Sequence, residues 1–241
     1  MVRTLRQAAD WVDAVGLALV FPKADVVLPS LWEQVNGTAA RDWAVRDPEG
    51  GFVRWTEEMG FLWGAKDGLP AAGLVCVGRH LARSVSCIAP RLLPSLVAAI
   101  GATADGDPVA EAVREHGPLT GPQLREVTGL AKREVDRSLG FLHRGLVLTS
   151  SHLVEGDAAW GSLAHDLLAR KWRLPANLPE NLPERAQARL ELTALVLDGS
   201  RELTAADLTG VFGWRRKESA ALLEQVGEGR DEEGFRIWTA R

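Results

Sequence analysis

Apolar side chains recur at helical spacing over residues 4–15, with Leu5, Ala8, Ala9, Val12 and Val15 on one face and Gly16 as the stop. Residues 17–21 form a short apolar run ended by Pro22, and Ser30-Leu31-Trp32-Glu33 is a capping box opening a short helix that Asn36-Gly37 closes. The pattern predicts a further helix over 57–64, with Gly68-Leu69-Pro70 as the turn after it. Residues 74–77 and 84–88 are β-leaning runs on either side of Gly78-Arg79-His80-Leu81-Ala82-Arg83, so a hairpin with a basic tip is expected there. A helix over 91–100 then leads into the Gly- and Asp-rich linker 101–108.

Beyond the linker the chain says one thing twice. Leu119-Thr120-x-x-Gln123-Leu124, Gly129, Lys132-Arg133-Glu134 and Leu139 recur 84 positions later as Leu203-Thr204-x-x-Asp207-Leu208, Gly213, Arg216-Lys217-Glu218 and Leu223, with every offset kept. A capping Thr, an acid or amide three residues on, a Gly stop and a second helix opening on basic residues is the helix-turn-helix order. The first copy is expected as helices over 108–116, 121–128 and 131–144, two strands and a wing over 147–160, and a returning helix over 164–172. Pro175, Pro179 and Pro183 then forbid a helix interior and mark a boundary. Helices over 185–197, 205–211 and 214–226 and a strand over 235–239 rebuild the order. The reading is a mainly α protein with small β-hairpins, made of three winged-helix-like units at 1–103, 107–172 and 184–241.

In each of the last two units the second helix of the pair carries the candidate contacts. Lys132, Arg133 and Arg137 stand on one exposed face with Val135, Leu139 and Leu142 inward; Arg215, Arg216 and Lys217 take the same place in the last unit, with Trp214, Ala221 and Leu222 inward. Such side chains hold phosphate or read guanine, or else pair with Glu134, Asp136 and Glu218 as an ordinary solvated face. A net charge of −4 over 241 residues excludes a protein that coats nucleic acid through a broad basic surface, so any contact is local. One such patch is the stretch between Asp67 and Asp105, which holds no acid but contains Arg79, His80, Arg83 and Arg91. Against it, the expected second wing carries Glu155 and Asp157 and the third Asp231, Glu232 and Glu233, which would repel a phosphate backbone.

Residues 16–22, Gly-Leu-Ala-Leu-Val-Phe-Pro, followed by the apolar run from Leu28 to Val35 and then by tandem winged-helix units, resemble the YcaQ/AlkZ family of DNA glycosylases. That resemblance implies stacked winged helices, duplex DNA as partner and a place in alkylation or crosslink repair. In the family a glutamine, followed two residues later by glutamine or aspartate, holds the catalytic water; the matching positions here are Leu19 and Phe21, neither of which activates water. The chain also ends just after the third unit, without the family's C-terminal β-barrel. A displaced alignment leaves Asp10, Asp13, Asp25, Glu33 and Gln34 as the nearby candidates. The resemblance therefore implies a member that binds DNA rather than cutting it. An active glycosylase with atypical residues and a protein-interaction scaffold are the alternatives.

Other chemistry is thinly represented. His80, His116, His143, His152 and His165 form no local Ser-His-Asp or Cys-His order, and no phosphate loop is present. Cys76 and Cys87 match no zinc spacing, so neither metal nor cofactor is expected; on opposite arms of the hairpin they could face each other but are read as thiols. Lys66-Asp67 is either a functional lysine beside a carboxylate or a surface ion pair near a turn. Nine Trp and no Tyr is an unusual usage, and Trp11, Trp32, Trp43, Trp55 and Trp63 crowd the first third, as core or as a base-stacking surface. No apolar run reaches the length of a membrane span and no signal-peptide core opens the chain, so a cytoplasmic protein is expected.

Overall fold

The computed structural model describes residues 2–37, 56–154, 162–174, 183–232 and 235–240. The expectations placed on Trp43, Trp55, Glu155, Asp157 and Glu233 lie outside the described residues.

One order of elements is run three times. The first pass is α1 (Leu5–Val15), β1 (Leu17–Leu19), α2 (Leu31–Asn36), α3 (Glu57–Ala71), β2 (Cys76–Leu81) and β3 (Ser84–Ile88). A turn of 3-10 helix (Pro90–Leu92) and α4 (Leu93–Ile100) lead on to α5 (Pro108–His116), β4 (Leu119–Thr120), α6 (Gly121–Thr128), α7 (Lys132–Arg144), β5 (Leu148–Val154), β6 (Ser162–Leu167) and the short α8 (Leu168–Lys171). The last pass is α9 (Arg185–Asp198), α10 (Ala205–Phe212), α11 (Arg216–Val226), β7 (Gly227–Glu232) and β8 (Phe235–Ala240). In the first two the early strand joins the far arm of the hairpin, giving the antiparallel orders β1-β3-β2 and β4-β6-β5; in the third a single bridge between Leu203 and Trp238 stands in for that strand. The molecule is thus mainly α-helical with small β-hairpins.

The same device fixes the middle helix each time. Ser30, Thr120 and Thr204 each accept from the backbone N–H three residues on, while Glu33, Gln123 and Asp207 accept the cap residue's own N–H. Each helix ends on a glycine in the left-handed region, Gly37 at φ 69°, Gly129 at φ 69° and Gly213 at φ 75°, where a Cβ would be strained. The repeat visible in the sequence therefore has a third, more divergent copy at Ser30, with the glycine stop seven residues on instead of nine.

Both faces of the first sheet are buried, which is why residues 17–21 read as a continuous apolar run. Ala18, Val20, Val77 and Cys87 pack with Val12, Leu31 and Leu62 of the first unit. Leu17, Leu19, Cys76 and Ile88 belong instead to a core shared with Leu93 and Leu96 of α4 and with Leu192, Val196, Leu223 and Trp238 of the last unit. The second unit has its own small core around Val113, Leu124, Val135, Leu142 and Leu148.

Several expectations are corrected. The helix expected over 57–64 runs on to Ala71 through Gly64, Gly68 and Pro70, because Met59, Leu62, Ala65 and Leu69 continue one buried face and Gly68 lets Leu5 approach to where its own Cβ would stand 3.0 Å away. Residues 164–167 are not helical: they are strand β6, held between β4 and β5, and the helix keeps only Leu168–Lys171. Strand β7 has no β-forming composition and exists through its ladder with β8. Cys76 and Cys87 do not face each other, since Cys87 pairs with Val77 and the two thiols lie on opposite faces of the sheet. Ala221 is exposed, and Ser219, Leu222 and Leu223 make the inward face of α11.

Candidate functional site

Two helix starts each carry a group of exposed cations. Helix α7 begins without a side-chain cap at Ala131, whose N–H is taken by Glu134 at 2.9 Å. Lys132 is exposed and paired with Asp136 at 2.7 Å, whereas Arg133 and Arg137 are exposed and make no ion pair with a described residue. Helix α11 begins at Arg216 with Arg215 as its cap residue; Arg215, Arg216 and Lys217 are all exposed and without an ion pair among the described residues. Glu218, which would neutralise them, is drawn inward to Arg189. The partial positive charge of a helix N-terminus disfavours cations there by about 0.3–1 kcal/mol each. Grouping them at that end is locally unfavourable, and a bound anion would offset the cost.

The basic hairpin is partly dismantled. Arg83 is exposed at the turn, where Ala82 (φ 51°) and Arg83 (φ 53°) are both left-handed. The turn is docked, not free: the Ala82 N–H donates to Val211 O at 2.8 Å and Lys23 Nζ donates to Ala82 O at 2.7 Å. Arg91 lies elsewhere, bonded to the Asp13 carboxylate at 3.2 Å and its carbonyl at 2.6 Å. His80 is not at the tip at all. It is buried, with Nδ1 donating to His143 O of α7 at 2.6 Å.

That contact belongs to a buried row of side chains joining the first and second units. Thr149 Oγ1 of β5 donates to Val77 O at 3.1 Å and lies 3.4 Å from Cys76 Sγ, which is 3.7 Å from His80 Nε2. The rings of His80 and His143 have centroids 5.3 Å apart, and His143 Nε2 meets His165 Nδ1 at 3.0 Å. Burial pushes His80 and His165 down to about 4, and it holds His143 well below the usual imidazole range, its loss of solvent reinforced by the neighbouring imidazoles and by Arg79. All three are neutral at pH 7. Burial likewise pushes the Cys76 and Cys87 thiols up to about 12, so neither is a nucleophile. Among the described residues no group of three or more His, Cys, Asp or Glu is placed to hold a metal.

Beside this row a cleft of about 600 Å³ opens between α3 and β2 on one side and α7 and β6 on the other. Arg79 and Phe21 line it, as do Lys66 and Asp67. The last two form an ion pair of 2.7 Å in mid-helix with Asp67 buried, so the reading of a surface pair near a turn is corrected. Lys66 Nζ also stands 4.5 Å from the Trp63 ring centroid. Leu19 is fully buried in the shared core, and Phe21 presents an apolar ring. Of the fallback candidates, Glu33 is spent on capping α2, and Asp10, Asp13 and Asp25 are exposed outside the cleft lining. Sequence reasoning missed His143 and His165, because only the docking of two units brings them beside His80.

No protein family, curated protein or solved structure matches the chain. Among the described residues no helix is long and apolar enough to cross a membrane.

Proposed function

We propose that this is a non-catalytic duplex DNA-binding protein built of three winged-helix units and related to the YcaQ/AlkZ glycosylases. The observation that carries the reading is the pair of exposed cation groups, Arg133 with Arg137 and Arg215 with Arg216 and Lys217, in the first two turns of the topologically equivalent helix and without an ion pair among the described residues. That helix, second of a capped pair and followed by a hairpin, is the one a winged helix inserts into the major groove. Arg83 at the docked turn is a third contact; Arg79 is turned over to the cleft. The acidic hairpin of the last unit is a weaker obstacle than its composition suggests, since Arg230 pairs with Glu232 and Arg236 with Asp231. Leu19 and Phe21 offer no group for a hydrolytic water, which favours binding over cutting.

The test is anisotropy with a labelled duplex, plain and alkylated, for the wild type and for the Arg133→Ala/Arg137→Ala and Arg215→Ala/Arg216→Ala variants. Binding by the wild type that each pair of substitutions weakens supports the reading; no binding by the folded wild type at low salt refutes it. The second reading, an active glycosylase, is favoured by the buried Asp67 carboxylate in the cleft. Abasic sites formed in the alkylated duplex by the wild type and not by Asp67→Asn would establish it.

A further inference from the structure

The cleft between the first two units has a charge balance that points to a ligand of its own. Four of its charges cancel in pairs, Lys66 with Asp67 and Lys132 with Asp136. Arg79 remains, exposed and without a hydrogen bond or ion pair to any described residue. Much of the other lining is apolar, with Val77, Val85, Leu139 and Leu163 joined by the rings of Phe21, Trp63 and the uncharged His143 and His165. His165 spends Nδ1 on His143, and its Nε2 has no partner among the described residues.

A planar guanidinium matches a carboxylate with two parallel hydrogen bonds. Apolar walls favour a hydrophobic body behind that carboxylate, and aromatic rings in the lining favour an aromatic one, which they can meet stacked or edge to face. A hydrated phosphate dianion suits the lining poorly: one cation would have to balance two charges, with Asp67 and Asp136 nearby. A volume of about 600 Å³ lies in the range of small-molecule sites. We infer that this cleft binds a small aromatic carboxylate, its carboxylate on Arg79 and its ring between the apolar walls. The inference is independent of the nucleic-acid reading, because ligand binding is read out without DNA.

Two substitutions separate charge from shape. Arg79→Gln removes the cation from an exposed position. Gly140→Leu fills the cleft from α7, where an added Cβ would have only Arg144 Nη1 within contact range, at 3.4 Å. Calorimetric titration of the full chain uses 2-naphthoate, 2-naphthamide and inorganic phosphate as probes. Naphthoate is expected to saturate with Kd below about 1 mM and to bind about tenfold more tightly than the amide. Arg79→Gln should bring naphthoate to the amide's affinity, and Gly140→Leu should abolish binding of both without lowering Tm. Naphthoate binding no tighter than the amide, phosphate binding tighter than naphthoate, or unchanged naphthoate binding by Arg79→Gln would each overturn the inference.

Discussion

At Gly78 an added Cβ would stand 2.4 Å from His80 Nε2 and 2.6 Å from His143 Nδ1. Two imidazoles from different units fill the space a side chain would take, so Gly78→Ala is expected to cost about 1–3 kcal/mol by overpacking, read from urea denaturation. The same row makes stability depend on pH. His80 and His165 fall from an unfolded value of 6.5 to about 4 on burial, so the unfolded chain binds more protons between those limits. Their contribution is full above pH 6.5 and is lost as pH falls toward 4, at about 1.4 kcal/mol per pH unit for each. Urea midpoints should therefore drop steeply between pH 7 and pH 5. His80→Asn, which keeps a donor for His143 O, should show a shallower drop; an equal slope would remove His80 from the account. None of this was legible locally. His80 sits in an acid-free stretch between Arg79 and Arg83, which reads as a basic tip, and what buries it is α7, whose His143 is 63 residues away in sequence.

Helices are legible in the sequence where their ends carry their own chemistry. Thr120 with Gln123 and Thr204 with Asp207 announce α6 and α10, and the left-handed Gly129 and Gly213 close them. Thr204→Ala should cost about 1 kcal/mol in thermal or urea unfolding, and Thr120→Ala a similar amount. Elements that depend on partners are not legible there. Helix α3 runs past Gly64, Gly68 and Pro70 because Leu69 is buried on the face begun by Met59, and β6 looks helical until β4 and β5 bracket it. Strand β7, Gly227–Glu232, carries no strand signal and is paired along its whole length to β8. Two of its acids, Glu232 and Asp231, are matched by Arg230 and Arg236, information that resides in the pairing and not in the composition.

Across the whole molecule, three passes of one element order do not make three independent bodies. Leu17, Ile88 and Leu96 of the first unit share a core with Leu192, Leu223 and Trp238 of the third, although the second lies between them in sequence. Leu96→Ala, in α4, is expected to cost about 2–5 kcal/mol, with signals from the first and third units lost in one transition; separate transitions would contradict the shared core. The 84-residue repeat marks the two capped helices and the basic helix starts that follow them, but not how the three passes dock, since docking rests on side chains no short motif contains. The central claim, that Arg133, Arg137, Arg215, Arg216 and Lys217 meet the phosphate backbone, is tested most directly by the slope of log K against log salt for a duplex. Each cation in contact contributes about −0.9 to that slope. Arg215→Ala/Arg216→Ala/Lys217→Ala is predicted to weaken binding and flatten the slope by about 2 to 3 relative to the wild type; an unchanged slope and affinity in that folded variant would contradict the account.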